Sequence, residues 1–444
     1  AWAREKKLTK VLLCGMGGSS LAPEVISKTF HKELTVIDTT DPEQISLALK
    51  TDLVNTIVIV GSKSGSTIET AAQLALFKSE FEMAGLDSSE HMLIITDPGS
   101  PLELSARTAG LRIINADPNV GGRFSALSAF GLAPAALIGV DVSVLLDDAF
   151  EAAEKFLESN SPVLQMAYLL AQPAYGFTAL LDSDSAVPGI SDWIEQLIAE
   201  STGKEEQGRL PIATEGFKEA AMGGAFAVAF APGADLTVEA ELGEHFLFWE
   251  WVTALLGAAL EIDPFNQPNV TEAKEATSAV LAEWNNSLPV ITTANSEGDV
   301  EIFGDGNTLV AALKNLIANT DADGYIAITA YLDRAGDNKL TELRAILSEK
   351  SGRPVSFGWG PRFLHSTGQF HKGGQQNGSF LQITGETVNN YPVPGRAFDF
   401  RTLLMAQALG DNRALATRKY PLLRLHCTER SAGIDQILRA AKAL

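Results

Sequence analysis

Between Leu8 and Asn115, short β-branched runs alternate with stretches of helical period, and this alternation narrows what the chain can become. The runs are Lys10–Cys14, Leu34–Asp38, Thr56–Val60, Met92–Thr96 and Leu111–Asn115. Apolar runs of this length, bounded by turn residues, suit strands buried on both faces, and helical crossovers between them make the sheet parallel. The expectation is a doubly wound α/β domain. Ligands of such sheets bind beyond the carboxyl ends of the strands, so the loops after Cys14, Val60 and Asn115 should line one crevice.

The second of those loops, Gly61-Ser-Lys-Ser-Gly-Ser-Thr67, leads into an amphipathic stretch predicted as helix over 68–81. Its two glycines let the backbone bend, Ser62, Ser64, Ser66 and Thr67 offer hydroxyls, and the first helical N–H groups lie unpaired at the positive end of a dipole. Four hydroxyls and Lys63 exceed what capping a helix requires, which points to an anion seat, most simply for a phosphate. No Walker pattern is present. The first loop, Gly15-Met-Gly-Gly-Ser-Ser20, lacks the third glycine of a dinucleotide fingerprint, so no nucleotide cofactor is expected. The third, Asn119-Val-Gly-Gly-Arg-Phe-Ser125, sets Arg123 behind two glycines, where it faces an anion or a developing oxyanion, or else is a surface Arg in a turn.

Charge excludes one class of partner. Lys and Arg total 34 against 55 Asp and Glu, a net charge of −21 with no basic run, so a nucleic-acid surface is not expected. Two cysteines, Cys14 and Cys427, give no disulfide framework and no zinc spacing, which suits a reducing cytoplasm. No secretory signal opens the chain. It begins with Ala1 rather than Met, and Ala1 to Lys7 run almost directly into a strand, as in a piece of a longer protein. The apolar stretch 126–140 is broken by Ser128, Pro134 and two glycines and reads as buried helix rather than membrane span.

Beyond residue 140 the pattern predicts a helix over about 145–170, a strand within 223–232, helices over 246–260 and 309–317, and strands at 325–331 and 354–357, with 295–306 a candidate boundary or excursion. Gln196 and Glu200 lie four apart on one helical face. A buried carboxylate there could serve as a base, but the pattern alone does not separate Glu200 from other helix glutamates. His365 and His371 fall in a glycine-rich stretch with no H-E-x-x-H arrangement, so no metal site is indicated.

Taken together these motifs resemble the phosphoglucose isomerase family. Gly15 to Ser20 looks like the family's G-I-G-G-S-D loop, Ser62 to Thr70 like S-K-T-x-x-T-x-E-T, and Val120 to Ser125 like V-G-G-R-[FY]-S. Gln196 to Lys204 resembles Q-x-x-x-E-S-x-G-K, and Phe265 to Lys274 is similar to F-D-Q-x-G-V-E-x-x-K, with Asn266, Asn269 and Thr271 in place of the usual Asp, Gly and Glu. The resemblance implies two sugar isomerase (SIS) domains, the first over 1–140 with the phosphate loop and the second over 141–444 with a C-terminal helical closure. It implies reversible isomerisation of glucose 6-phosphate and fructose 6-phosphate through a cis-enediol, without metal or other cofactor.

Carried over residue by residue, Glu200 is the base, Arg123 stabilises the enediolate, and Lys274 with a histidine opens the ring. Ser62, Lys63, Ser64 and Thr67 hold the phosphate, while Gly18, Ser19, Gln196 and Gln267 line the sugar site. The family's histidine normally lies between base and lysine, where this chain has only His245. Leu364-His-Ser-Thr-Gly-Gln369 resembles the L-H-S-M-G-Q segment of shorter bacterial members, which favours His365, with His371 and His245 as alternatives. A histidine supplied by a neighbouring subunit would imply a homodimer. The displaced segment and abrupt start resemble the isomerase half of fused transaldolase–isomerase proteins. The rival readings are an isomerase that also accepts mannose 6-phosphate, and a sugar-phosphate-binding regulator without turnover.

Overall fold

The computed structural model describes residues 2–214, 216, 225–232, 234, 236–291, 293 and 295–444. The five runs of the opening segment form one parallel sheet: β1 (Lys10–Gly15), β2 (Thr35–Ile37), β3 (Thr56–Gly61), β4 (Met92–Thr96) and β5 (Arg112–Asn115), in the order β2-β1-β3-β4-β5. Alternate residues feed two cores. Leu12, Cys14, Val58 and Val60 pack on one face and Val11, Leu13, Ile57 and Ile59 on the other, which is why these strands are apolar throughout. The strand order reverses between β1 and β3, whose last residues Gly15 and Gly61 are register partners. Their loops therefore leave side by side at a topological switch point, the place where an open α/β sheet makes a crevice.

A second parallel sheet has the order β7-β6-β8-β9, from β6 (Phe177–Leu181), β7 (Leu210–Ala213), β8 (Phe226–Ala229) and β9 (Leu236–Thr237). The helix Ile190–Thr202 connects β6 to β7 and packs Trp193, Ile194 and Leu197 into a core shared with Phe246, Trp249 and Val252 of the helix Leu242–Ala259. A third sheet, β10-β11-β15-β14-β12-β13, comprises β10 (Asn295–Glu297), β11 (Val300–Phe303), β12 (Tyr325–Tyr331), β13 (Val355–Trp359), β14 (Gly378–Gly385) and β15 (Leu422–Cys427). Its β12 to β15 are mutually parallel, while the β10–β11 hairpin adds antiparallel to β15.

Several expectations change here. The single helix over 145–170 is two, Val142–Phe156 and Pro162–Ala171, because Pro162 fits only the first turn of a new helix. Of the two readings of 295–306, the structure has the excursion: Gly298 turns at φ +59° and the hairpin forms the edge of the third sheet. The closing segment, expected to be helical, contains β14 and β15 as well as the helices Phe400–Ala416 and Arg430–Lys442. Of the strand expected within 223–232, residues 223 and 224 lie outside the described residues.

The first and third sheets meet through charge. Glu24 and Asp38 from the first unit face Arg334 and Arg362 from the third, Asp41 faces Arg430 at 2.6 Å, and Glu43 accepts from the backbone N–H of Val388 and Asn389. Among the described residues no helix is long and apolar enough to cross a membrane.

Candidate active site

Two glycines let the first loop close on its neighbours. Gly17 sits at φ +56°, and a Cβ there would lie 2.6 Å from both Gln196 Nε2 and the His365 carbonyl oxygen. A Cβ on Gly18 would meet Gly122 O at 2.2 Å, so the loops after β1 and β5 touch main chain to main chain. The third loop thereby delivers Arg123 to the bottom of the crevice, 3 % exposed.

Arg123 organises the acid–base cluster. Its Nη1 lies 3.3 Å from Glu200 Oε1 and donates to Gln267 Oε1 at 3.0 Å; Nε donates to Ser201 Oγ at 2.6 Å. Nη2 donates to the carbonyls of Pro264 at 2.6 Å and Asn266 at 3.0 Å. All five N–H groups are therefore engaged, so in this conformation Arg123 offers a reacting oxygen its charge rather than a free donor. Burial lowers the Arg123 pKa, an effect that Glu200 and Asp263 oppose. The other Glu200 oxygen accepts from Gln196 Nε2 at 3.0 Å, and the same amide group donates to His365 O at 2.7 Å. Gln196 thus ties the carboxylate to the histidine segment.

His365 ends a 3-10 turn, Arg362–His365, that follows β13. Its Nε2 lies 2.9 Å from Glu69 Oε1, which also accepts from Gln407 Nε2 at 2.7 Å. Burial pushes the Glu69 carboxyl up, but His365 by charge and hydrogen bond, with a smaller contribution from Lys274, outweighs it and holds Glu69 below the usual carboxylate range. Glu69 is the second residue of the helix Ile68–Met83, whose N-cap Thr67 makes no capping bond, leaving that first turn open to an anion. Gly65, Ser66, Glu69, His365 and Lys274 line one cavity of about 310 Å³. Within the loop, Ser62 Oγ donates to Thr67 Oγ1 at 3.0 Å and Ser64 and Ser66 hydroxyls are 3.0 Å apart. Lys63 differs from expectation: its ammonium is held by Asp97 at 2.7 and 2.8 Å and by Asp117 O at 3.0 Å, so its side chain is committed elsewhere.

A family model described as phosphoglucose isomerase matches residues 2–215. Those residues, just under half of the chain, are similar to the phosphoglucose isomerase family. A probable glucose-6-phosphate isomerase of Haloarcula marismortui is 33 % identical over 210 residues, covering 45 % of this chain and 48 % of that protein. The glucose-6-phosphate isomerase of Thermus thermophilus is 38 % identical over 209 residues, covering 44 % of this chain and 49 % of that protein. The chain spans about half the length of the curated relatives it matches. A crystal structure of a glucose-6-phosphate isomerase from Chlamydia trachomatis superposes with a TM-score of 0.56 at 20 % identity, over 64 % of this chain and 72 % of that one, which establishes likeness of fold.

The phosphoglucose isomerase match contains Gly18, Ser19, Ser62, Lys63, Ser64, Thr67, Arg123, Gln196 and Glu200, whereas Gln267, Lys274 and His365 lie beyond it. The structure brings both groups to one crevice and leaves the other two histidines out. His371 is buried among Tyr325, Phe363 and Phe380, with neither ring nitrogen partnered, and burial pushes its pKa down to about 3. His245 packs on Phe230 within the core of the second sheet, and burial pushes it down to about 4. Glu69 and Gln407 were not singled out from sequence. Glu69 stands in the motif that was read for phosphate, but nothing in the order of residues shows that Gln407 and His365, 338 and 296 positions away, converge on it. Arg396 also lines the cavity and carries no sequence signal.

Proposed function

We propose that this chain interconverts glucose 6-phosphate and fructose 6-phosphate by moving a proton between C1 and C2 through a cis-enediol. The observation that supports the reading is the junction at Gln196, where the Arg123–Glu200 ion pair meets the Glu69-backed His365 beside an open helix N-terminus. A 1,2-proton shift needs a base beside the carbon, positive charge near the enediolate oxygen and a seat for the phosphate. In this reading Glu200 is the base and Arg123 supplies the charge while orienting Glu200 and Gln267. His365, held by Glu69, assists ring opening with Lys274. Ser62, Ser64, Thr67 and the first turn of the helix Ile68–Met83 hold the 6-phosphate, Gly18 and Ser19 shape the sugar side, and Lys63 braces the loop through Asp97.

The reading divides the chain near residue 140 into two sugar isomerase units and places it in the cytoplasm, in glycolysis or gluconeogenesis. A homodimer and a transaldolase domain joined upstream belong to the same proposal. The test is conversion of fructose 6-phosphate to glucose 6-phosphate with chelator present. Native activity that survives chelator and falls at least about 10²-fold in Glu200→Gln supports the reading. A native chain that binds the sugar phosphate without turning it over refutes it and favours a binding role.

A further inference from the structure

Three residues before His365, at the start of the same 3-10 turn, Arg362 enters a cluster of charges that also includes Lys28, whose Nζ lies 3.1 Å from Glu24 Oε1. The Arg362 Nε lies 3.3 Å from Asp38 Oδ2 and its Nη1 3.5 Å from Glu24 Oε2. Arg334, which follows β12, donates Nη1 to both Glu24 oxygens at 3.0 and 3.1 Å, with its Nε 3.8 Å from Asp38 Oδ1. Two arginines of the third unit thus share two carboxylates of the first. The Asp38 side chain is 1 % exposed. Burial pushes Glu24 up, yet Arg362, Arg334 and Lys28 outweigh it and hold the carboxyl far below the usual range, while Asp38 raises Arg334. Apart from Asp38 the set is only partly buried, with the Arg334, Arg362 and Glu24 side chains 21, 12 and 13 % exposed, and its paired charges hold the turn in register against the first unit.

We infer that the Glu24–Asp38–Arg334–Arg362 set is the positioning device that seats His365 on Glu69, with Arg362 as its working member. The inference rests on the isomerase reading of the crevice. Arg362 does not touch the reaction space: Arg362, Arg334 and Glu24 line a separate cavity of about 560 Å³, whereas His365 lines the 310 Å³ cavity. The first and last residues of one turn therefore border different cavities. The helix carrying Glu24 follows directly on loop 15–20, which meets the His365 main chain at Gly17, so anchor and crevice are fixed by the same element. Because the anchor borders an open cavity, water replaces a shortened side chain there and the fold survives the substitution.

The test compares Arg362→Gln, Asp38→Asn and Arg362→Lys with the native chain on two substrates. Fructose 6-phosphate must open its ring; erythrose 4-phosphate cannot close one, and its C2 proton exchange with deuterium needs the base but no ring opening. Displacement of His365 by about 1 Å predicts a 10- to 100-fold fall in kcat on fructose 6-phosphate for Arg362→Gln and Asp38→Asn, with KM within about twofold. Exchange on erythrose 4-phosphate should keep its native rate, and Arg362→Lys, which retains the charge, should recover part of the loss. Unchanged kcat on fructose 6-phosphate, or equal losses on both substrates, overturns the inference. The ring 15N signals of His365, assigned by their loss in His365→Ala, give a readout independent of turnover. They should move in Arg362→Gln toward their positions in Glu69→Gln, and unmoved signals overturn the inference. A native chain inert on both sugars would refute the isomerase reading alone, and the 15N signals would still decide the anchor.

Discussion

Replacing Arg123 by Lys keeps the charge and removes the fork, which separates the two things the guanidinium does. Five acceptors surround it, on Ser201, Gln267, Glu200, Pro264 and Asn266, and the side chain is only 2 % exposed. An ammonium has three donors on a shorter reach, so at least two acceptors lose their partner. At about 1–3 kcal/mol for each buried group left unsatisfied, the substitution costs roughly 2–5 kcal/mol. For a chain of 444 residues that corresponds to a fall of roughly 2–5 °C in a thermal melt. Function should suffer more than charge retention suggests, because Gln267 and the 264–266 main chain are placed by the lost bonds, and a displaced Glu200 base is worth about 10²-fold in kcat. The assay is a melt by tryptophan fluorescence beside fructose 6-phosphate turnover. An Arg123→Lys chain that melts within about 1 °C of native and keeps kcat within about threefold would refute the argument, showing that a point charge suffices.

His371 provides a pH test. The unfolded chain takes up its proton near 6.5, but burial delays protonation in the folded chain to about 3, so the fold loses stability as pH falls through that window, by up to about 1.4 kcal/mol per pH unit. His371→Phe, which suits a pocket of Tyr325, Phe363 and Phe380, should shift acid unfolding to lower pH and leave isomerisation intact; an unmoved acid midpoint contradicts this. Coexpressed Glu200→Gln and His365→Ala chains should regain no activity, since His365 serves the Glu69 of its own chain, whereas recovery above the sum of the two would place the histidine in a neighbour's site. Gly18→Ala forces the first and third loops apart at the 2.2 Å approach to Gly122 O and should cost about 1–3 kcal/mol in denaturant melts together with turnover.

What the sequence disclosed, and what it withheld, follows from range. The first sheet was legible because β1 to β5 are buried on both faces and carry unbroken β-branched runs, and its three loops were legible because glycine and hydroxyl residues report local backbone needs. The strand β14 was missed: Gly378-Ser-Phe-Leu-Gln-Ile-Thr-Gly385 mixes polar residues into a fully buried strand, where Gln382 Nε2 donates to the Ala408 carbonyl of a distant helix. Likewise, Arg123 looked like either an oxyanion donor or a surface turn residue until the carbonyls of 264 and 266 were seen to saturate it. Choosing among three histidines required tertiary burial, since only the fold shows His371 enclosed by rings and His365 against a carboxylate.

The carboxylates on the first sheet have a temporal consequence. Glu24, Asp38, Asp41 and Glu69 each have a cationic or histidine partner in residues 334–430, about 300 or more positions downstream, and among the described residues only Glu24 of the four also has a near one, Lys28. At a synthesis rate of ~5–20 residues per second, Glu69 waits roughly 15–60 s on the ribosome for His365. During that interval the nascent first unit displays a negatively charged face that must stay hydrated, which keeps its sheet from collapsing onto other apolar segments. The final sheet to emerge neutralises that face and brings His365 to Glu69.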